Sequence, residues 1–381
     1  MEFALSDEQR LIADSAAKFV ADRYDFETRR QLATGETGFS HANWRQFAEL
    51  GWLALPFSEE LGGLGGTAIE VMLLMEAFGQ GLVLEPYLPA ILLAGRAIAE
   101  AAPTEKAAAL LAPLLAGERI YALAEEEAAS RSDPTAIATR ARREADGYVL
   151  TGRKAVVLAA PAADAFLVLA RHEGGELDGA LQLFLVPCDQ PGLAVVGYRT
   201  TDGARAGELV LDDVSVPESA ALGEAGAPTE AALARMREEA QLAIAAEILG
   251  ITTAAFAATR QYLATRRQFG RPLAAFQVLQ HRLADMLIAT EELRSIVAAA
   301  TMRHVAAPMT AEARKLVAAA VVKAEEAGAF VTAQAVQLHG GMGVSEELNI
   351  GTYFKRFHAL KALLGDTQRT LDRIASASLA A

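Results

Sequence analysis

The amino-acid sequence predicts an α+β protein in which helices, then strands, then helices follow one another along the chain. Apolar residues recur at helical spacing over residues 6–117. Over residues 119–216 they form short apolar or alternating runs separated by turn signals, a pattern typical of a compact all-β unit. Helical periodicity returns over residues 229–376. Because the two kinds of element are segregated instead of alternating, we expect separate helical and β layers, and no βαβ units.

Each helical zone carries its own start signals and breaks. Ser6, with Gln9 three residues later, has the spacing of a capping box. Further helical patterns cover residues 41–50, 67–80, 104–116, 229–265, 273–306, 310–338 and 357–376. The last four are rich in alanine and predict a four-helix bundle. We therefore expect three domains: an N-terminal helical domain over 1–118, a middle β domain over 119–222 and a C-terminal helical bundle over 223–381.

Composition argues against several classes of function. The formal net charge of −13 disfavours a nucleic-acid binder, so an anionic ligand would need a local cluster of cations. Cys188 is the only cysteine, which excludes an intrachain disulfide, and we expect its side chain to be buried. The histidines lack metal-ligand spacing, so no metal site is expected. Without a signal-peptide pattern or an apolar run of about 18 residues, a cytoplasmic protein with no membrane span is expected.

The most specific segment of the chain is rich in arginine. It reads Arg266-Arg267-Gln268-Phe269-Gly270-Arg271-Pro272-Leu273, and Arg260 precedes it. Guanidinium groups bind phosphate through paired charge-assisted hydrogen bonds, so the cluster suits a pyrophosphate; a solvated helix end is the alternative. A second segment, Gln337-Leu338-His339-Gly340-Gly341-Met342-Gly343, ends a predicted helix in glycines that let a flat ligand approach the backbone. A simple helix C-cap is the alternative there.

Taken with Glu59-Glu60-Leu61-Gly62-Gly63-Leu64-Gly65 and Asp146-Gly147-Tyr148-Val149-Leu150-Thr151-Gly152-Arg153-Lys154, these segments make the chain resemble the acyl-CoA dehydrogenase family nearly end to end. The resemblance implies the family's fold, with an N-terminal helical domain, a middle β domain and a C-terminal four-helix bundle. It also implies FAD as the cofactor, an acyl-CoA substrate, an electron-transfer protein as acceptor, and at least a dimer. By position, Arg266, Gln268 and Phe269 would contact the FAD pyrophosphate. Gln337, Gly340 and Gly341 would contact the adenosine end of an FAD held mainly by a neighbouring subunit.

The sequence departs from the family at the catalytic base. The family reaction removes the α-proton of the thioester with a carboxylate while a β-hydride passes to the flavin. Counting from Arg356 places the usual glutamate at Gly365, and aligning on the following glycine places it at Leu364. Neither side chain accepts a proton. Asp366 is adjacent and is one candidate for a substitute base.

Two further candidates lie on the first predicted helix of the bundle. Some family branches carry the base there, at the position of Ala240, which is next to Glu239. One residue along a helix turns the side chain by about 100°, so Glu239 need not face the same way. Glu247 lies two turns further along in an apolar stretch, where an acid is expected to be buried with a partner or to be functional.

The flavin-facing strands also differ from the family pattern. Ala122-Leu123-Ala124-Glu125 stands where the family has Ala-Leu-Thr-Glu, and Val156-Val157-Leu158 stands for Trp-Ile-Thr. Two hydroxyl groups are therefore lost, and a flavin polar group left unsatisfied would cost about 1–3 kcal/mol. The flavin-facing half of the site is weakened, whereas the phosphate and adenosine half is retained.

This division predicts a subunit of a mixed oligomer. The pattern at Met1-Glu2-Phe3, 82–87 and 353–356 resembles the small-subunit branch of pimeloyl-CoA dehydrogenases, to which two-subunit enzymes acting on steroid side-chain thioesters are related. The leading hypothesis is an α2β2 acyl-CoA dehydrogenase in which a homologous large subunit supplies most of the reactive centre. The alternatives are a homo-oligomeric enzyme using Asp366, Glu239 or Glu247, and a non-catalytic scaffold or acyl-CoA-binding protein of the same fold.

Overall fold

A computed structural model describes residues 5–129, 136–368 and 370–372 of the 381-residue chain. Met1-Glu2-Phe3 and the part of the last predicted helix beyond residue 372 lie outside the described residues. The chain divides into two compact units. The bundle unit comprises Met1–Gln31, Thr67–Val83 and Gln241–Ala381, and the sheet unit comprises Leu32–Gly66 and Leu84–Ala240.

The helices of the described residues follow the predicted pattern closely. They are α1 (Asp7–Arg23), α2 (Phe26–Thr34), α3 (His41–Glu49), α4 (Ala68–Gly81), α5 (Arg96–Ala101), α6 (Thr104–Leu115), α7 (Ala227–Thr265), α8 (Gln277–Ala306), α9 (Ala311–His339) and α10 (Ile350–Leu364). The capping box predicted at Ser6 is confirmed, since its hydroxyl accepts a hydrogen bond from the Gln9 backbone and the Gln9 side chain accepts one from the Ser6 backbone. A π-helical turn over Tyr87–Gly95 leads into α5 and was not predicted.

The predicted bounds of the last helix are wrong. The pattern indicated one continuous helix over 357–376, but α10 begins at Ile350 and ends at Leu364, and helical backbone resumes only at residue 367. It ends there because Gly365 adopts φ 86° and ψ −161°, a conformation that only glycine adopts readily. The phenol of Tyr353 in α10 donates a hydrogen bond to the Gln80 carbonyl, at 2.8 Å. This contact ties α10 to α4 within the bundle unit.

The sheet unit contains one eight-stranded mixed sheet. Its strands are β1 (Tyr121–Ala124), β2 (Arg140–Glu144), β3 (Gly147–Leu158), β4 (Ala165–Glu173), β5 (Leu181–Pro187), β6 (Leu193–Arg199), β7 (Arg205–Pro217) and β8 (Ala221–Leu222), in the order β6-β7-β3-β2-β4-β5-β8 with β1 parallel to β4. The register of β3 and β7 shifts between Lys154 and Val157. Val156, inside this irregularity, has φ 52°, which is unusual for a β-branched residue.

The α+β fold class, with helical N- and C-terminal parts and a central sheet, is therefore confirmed. The three domain ranges stay a prediction. The expectation for Cys188 is wrong: its side chain is exposed because β5 ends one residue before it, at Pro187.

Among the described residues, α7 alone is long and apolar enough to cross a membrane by length and composition. However, 72% of its most apolar window is buried inside the protein, as in a core helix. Within the same described ranges, no group of His, Cys, Asp and Glu side chains is arranged to hold a metal ion.

Candidate functional site

The arginine-rich segment forms a small hairpin after α7. Strand β9 (Arg267–Gln268) pairs with β10 (Arg271–Pro272) in antiparallel register, and Phe269 and Gly270 form the turn with φ 54° and 79°. The side chain of Phe269 is 86% exposed. An apolar ring held at the tip of a hairpin in a left-handed conformation is a feature expected of a binding element. We call residues 266–273 the arginine hairpin.

The cations of this region are not neutralised. No carboxylate within the described part of the chain forms an ion pair with Arg260 or with the hairpin arginines 266, 267 and 271. Arg271 instead lies over the Phe276 ring, 4.0 Å from its centroid. In a protein with a net charge of −13, a group of guanidinium ions without carboxylates in the described ranges has the charge that suits an anion.

The glycine segment forms an exposed turn at the end of α9. Gly340 has φ 59° and ψ −136°, and its N–H donates to the Gln337 carbonyl. Side chains added at Gly340 or Gly341 would meet no atom within 4 Å, so their backbone faces open space. Gln337 is also exposed. We call residues 337–343 the glycine turn; it presents bare backbone and one amide side chain to a ligand.

An aromatic pair that sequence analysis missed joins these two segments within the bundle unit. The rings of Tyr262 and His339 are stacked, with centroids 4.3 Å apart and an interplanar angle of 26°. The His339 Nδ1–H donates to the Ala335 carbonyl at 2.8 Å. Burial lowers the pKa of His339 below its usual value, a shift that this hydrogen bond partly offsets. The sequence offered one clue to a role for Tyr262, which lies one helical turn before Arg266.

The first turns of α8 expose large apolar side chains. Val278 is 62% exposed and Ile288 56%, and Leu287 is also exposed. Together with Phe269 they give the bundle unit apolar surface that its own described residues do not cover. Such surface is typical of a protein–protein contact.

The first candidate base, Glu239, is held by an arginine in the sheet unit. Arg96 Nε lies 2.7 Å from Glu239 Oε2, and a second Arg96 nitrogen lies 2.9 Å from Oε1. Arg96 also donates to Glu100, which in turn accepts from Arg235. Both oxygens of Glu239 are thus engaged in a compact charged network.

The second candidate, Glu247, is buried in the bundle unit. Its side chain is 3% exposed, and Oε1 accepts a hydrogen bond from Arg356 Nε of α10 at 2.6 Å. Its Oε2 is buried and has no hydrogen-bond partner among the residues that the structure describes. The expectation that an acid at this position is buried with a partner is confirmed.

The third candidate, Asp366, lies directly after α10 and is exposed. One oxygen of its carboxylate accepts a hydrogen bond from the Gln368 N–H at 2.9 Å, and its carbonyl accepts from the Thr370 N–H, as at the start of a helix. Asp366 also lines a pocket of 470 Å³ with Glu325, Lys361, Gly365, Thr367, Gln368 and Leu371. The structure does not bring Asp366 and Glu247 into contact with each other.

The predicted flavin-facing positions lie in the sheet unit. Ala124 ends β1 and is buried, whereas Leu158 ends β3 and is half-buried. Neither side chain carries a hydrogen-bond donor. Glu125, which follows β1, forms an ion pair with Arg237 of α7. Val156, which stands where the family has Trp, is 50% exposed, so an apolar side chain faces outward there.

Comparisons with known proteins identify the family. Residues 6–118 match the acyl-CoA dehydrogenase N-terminal domain model, residues 121–214 the middle domain and residues 227–379 the C-terminal domain. Benzylmalonyl-CoA dehydrogenase of Aromatoleum aromaticum is 32% identical over 372 residues, which cover 93% of each chain.

Solved structures show the same relationship. The ChsE4-ChsE5 complex from Mycobacterium tuberculosis contains a chain with a TM-score of 0.86 and 29% identity, covering 99% of this chain and 98% of that chain. A variant of the Tcur3481-Tcur3483 steroid enzyme has a TM-score of 0.84 and 31% sequence identity, and the match covers 98% of both chains. PigA with FAD and proline has a TM-score of 0.89 and 25% sequence identity, and the match covers 99% of this chain and 98% of that one. The chain belongs to the acyl-CoA dehydrogenase family.

Proposed function

We propose that this chain is a subunit of a heteromeric, FAD-dependent acyl-CoA dehydrogenase that introduces an α,β double bond into a thioester. It binds the phosphates and adenosine of FAD, and a homologous partner supplies the base and most of the reactive centre. The named relatives support the reaction class, and the two complexes with paired names support a heteromeric assembly.

The residues present fit the nucleotide end of FAD. The arginine hairpin offers guanidinium groups that no carboxylate in the described ranges neutralises, and the glycine turn offers open backbone. Both features suit a pyrophosphate and a flat base. Bound FAD supplies the hydride acceptor. The chain's own residues bind and orient the cofactor: the arginines compensate its charge, and Gln337 with the glycines contacts its adenosine end.

One observation carries the proposal: each candidate base already has a structural partner. Arg96 holds Glu239, Arg356 holds Glu247, and the Asp366 carboxylate accepts a hydrogen bond from the Gln368 N–H. A general base must reach the substrate carbon and be free to take its proton. A partner subunit is therefore the source of the carboxylate.

A comparison of the isolated chain with a co-expressed assembly tests this proposal. We expect flavin absorbance and turnover of an acyl-CoA only when the homologous large subunit is present. The single variants Glu239→Gln, Glu247→Gln and Asp366→Asn in this chain should each leave turnover per bound flavin in the folded assembly within about threefold. Turnover by the isolated chain that one of these substitutions abolishes would overturn the proposal.

A specific observation favours one alternative, the homo-oligomeric enzyme. Asp366 is exposed at a 470 Å³ pocket and follows the position that the family's glutamate occupies by residue count. In that case Asp366→Asn alone would abolish turnover by the isolated chain. The steroid side-chain substrate class, the electron-transfer acceptor protein and the cytoplasmic location remain predictions.

A further inference from the structure

We propose that the stacked rings of Tyr262 and His339 set the spacing between the arginine hairpin and the glycine turn, so that both segments contact one dinucleotide. In this view the two aromatic residues are positioning residues and do not themselves bind the ligand. The inference rests on the proposed function, which assigns the two segments to the two ends of the nucleotide half of FAD.

Each ring is attached directly to one of the segments. The Tyr262 carbonyl accepts a hydrogen bond from the Arg266 N–H at 2.8 Å, and the Arg266 carbonyl accepts one from Leu273 N–H, also at 2.8 Å, closing the base of the hairpin. His339 is the last residue of α9 and immediately precedes Gly340. The two stacked residues are therefore linked through the backbone to the two ligand-binding segments.

The pair is fixed in orientation as well as in distance. A carbonyl oxygen only accepts hydrogen bonds, so the His339 nitrogen that faces the Ala335 carbonyl, Nδ1, carries the proton. The Tyr262 hydroxyl donates a long hydrogen bond, 3.5 Å, to the His339 carbonyl at the start of the glycine turn. The imidazole is buried and the phenol half-buried, which leaves little room for other ring positions.

A control residue lies beside the aromatic pair. Leu263, the neighbour of Tyr262, is fully buried and is not part of the stack. Tyr262 and His339 lie instead where both helices end and the ligand segments begin. Leu263 therefore provides a matched control, because its truncation lowers stability without removing the stack.

Hydrogen exchange in the full chain tests the coupling without FAD. We expect Tyr262→Leu to speed amide exchange at least fivefold in both residues 266–273 and residues 337–343. Tyr262→Phe, which keeps the ring, should change exchange less than twofold. Leu263→Ala should lower Tm without this paired local effect. Faster exchange in the hairpin alone, or unchanged exchange in both segments, would overturn the proposal.

FAD affinity of the co-expressed assembly tests the consequence. We expect Tyr262→Leu to raise the FAD Kd at least tenfold, and Tyr262→Phe and Leu263→Ala to change it less than threefold. If Arg266→Gln weakens FAD binding but Tyr262→Leu does not, this inference fails while the proposed function stands. If the wild-type assembly binds no FAD, the proposed function fails and the exchange experiment alone decides whether the rings couple the segments.

Discussion

Arg96 contacts both carboxylate oxygens of Glu239, at 2.7 and 2.9 Å, across 143 residues of sequence. This two-point contact occupies the carboxylate that lies next to the alternative base position of the family, Ala240. It gives the acid at this place in α7 a structural partner.

Replacing Glu239 is expected to affect stability and not turnover. The pair is partly buried, so its loss should cost about 2 kcal/mol, between the values of exposed and fully buried pairs. Urea denaturation of Glu239→Gln measures this cost, and turnover of the assembly should remain within threefold. A hundredfold loss of turnover at wild-type stability would identify Glu239 as the base.

Breaking the Glu247–Arg356 pair is expected to destabilise the protein more strongly. Glu247→Ala removes a carboxylate partner of the Arg356 guanidinium in a poorly solvated place and should cost about 3–5 kcal/mol. The double variant Glu247→Ala, Arg356→Leu should recover part of this loss, because no uncompensated charge remains. Additive losses in a double-mutant cycle would show that the two side chains do not interact.

Neutralising the arginine hairpin is expected to weaken FAD binding. A hydrogen bond to a charged group contributes about 1.5–3 kcal/mol, so Arg266→Gln should raise the FAD Kd about 10- to 100-fold. Raising the salt concentration should weaken the wild-type complex more than the variant, because the variant has lost part of its charge attraction. Arg303→Gln is a control, since Arg303 already pairs with Glu312.

Gly365 is expected not to accept the family's glutamate. Its φ of 86° and ψ of −161° are compatible with glycine and strained for other residues, although an added side chain would meet no atom within 4 Å. Gly365→Glu should therefore cost about 1–3 kcal/mol and yield no turnover by the isolated chain. Gly365→Ala should cost a similar amount if the backbone is the cause. A Gly365→Glu variant that is stable and active alone would contradict both expectations.

Stability is expected to fall in mild acid because of His339. Burial lowers its pKa in the folded protein, so below the ordinary value of 6.5 the unfolded chain binds a proton that the folded chain resists. The contribution of His339 to the unfolding free energy is therefore complete above pH 6.5. It is lost as the pH falls towards the lower pKa that His339 has in the folded protein. His339→Phe, which keeps a ring, should show a smaller drop in unfolding free energy between pH 7.5 and 5.5. His358 also has a lowered pKa, so the variant His358→Gln measures its separate contribution to the pH dependence of the unfolding free energy.

Local sequence patterns predicted most of the fold. The capping box at Ser6, the helical periodicity of α3, α4 and α6–α9, and the change of period at the sheet are all read from residues close in sequence. The end of α10 was missed because one backbone conformation, at Gly365, overrides apolar periodicity that continues past it. Apolar periodicity therefore predicts where a helix or strand lies better than it predicts the residue at which that element ends.

The candidate site was predictable only in part. The arginine hairpin is one continuous segment of the sequence, and so is the glycine turn. Each could therefore be predicted from the sequence alone. The partners of Glu239 and Glu247 lie 143 and 109 residues away, so sequence spacing carried no information about which arginine each acid contacts. The stack of Tyr262 on His339 was missed for the same reason, since it joins the ends of two long helices.

The uncovered apolar side chains at the arginine hairpin and the start of α8 have a practical consequence for production. Phe269, Val278 and Ile288 remain in water as long as the chain has no companion. Polypeptides with such surface are prone to precipitate or to engage chaperones during synthesis. Under the proposed heteromeric assembly, translating this chain together with its partner should therefore give more soluble complex than mixing separately purified chains.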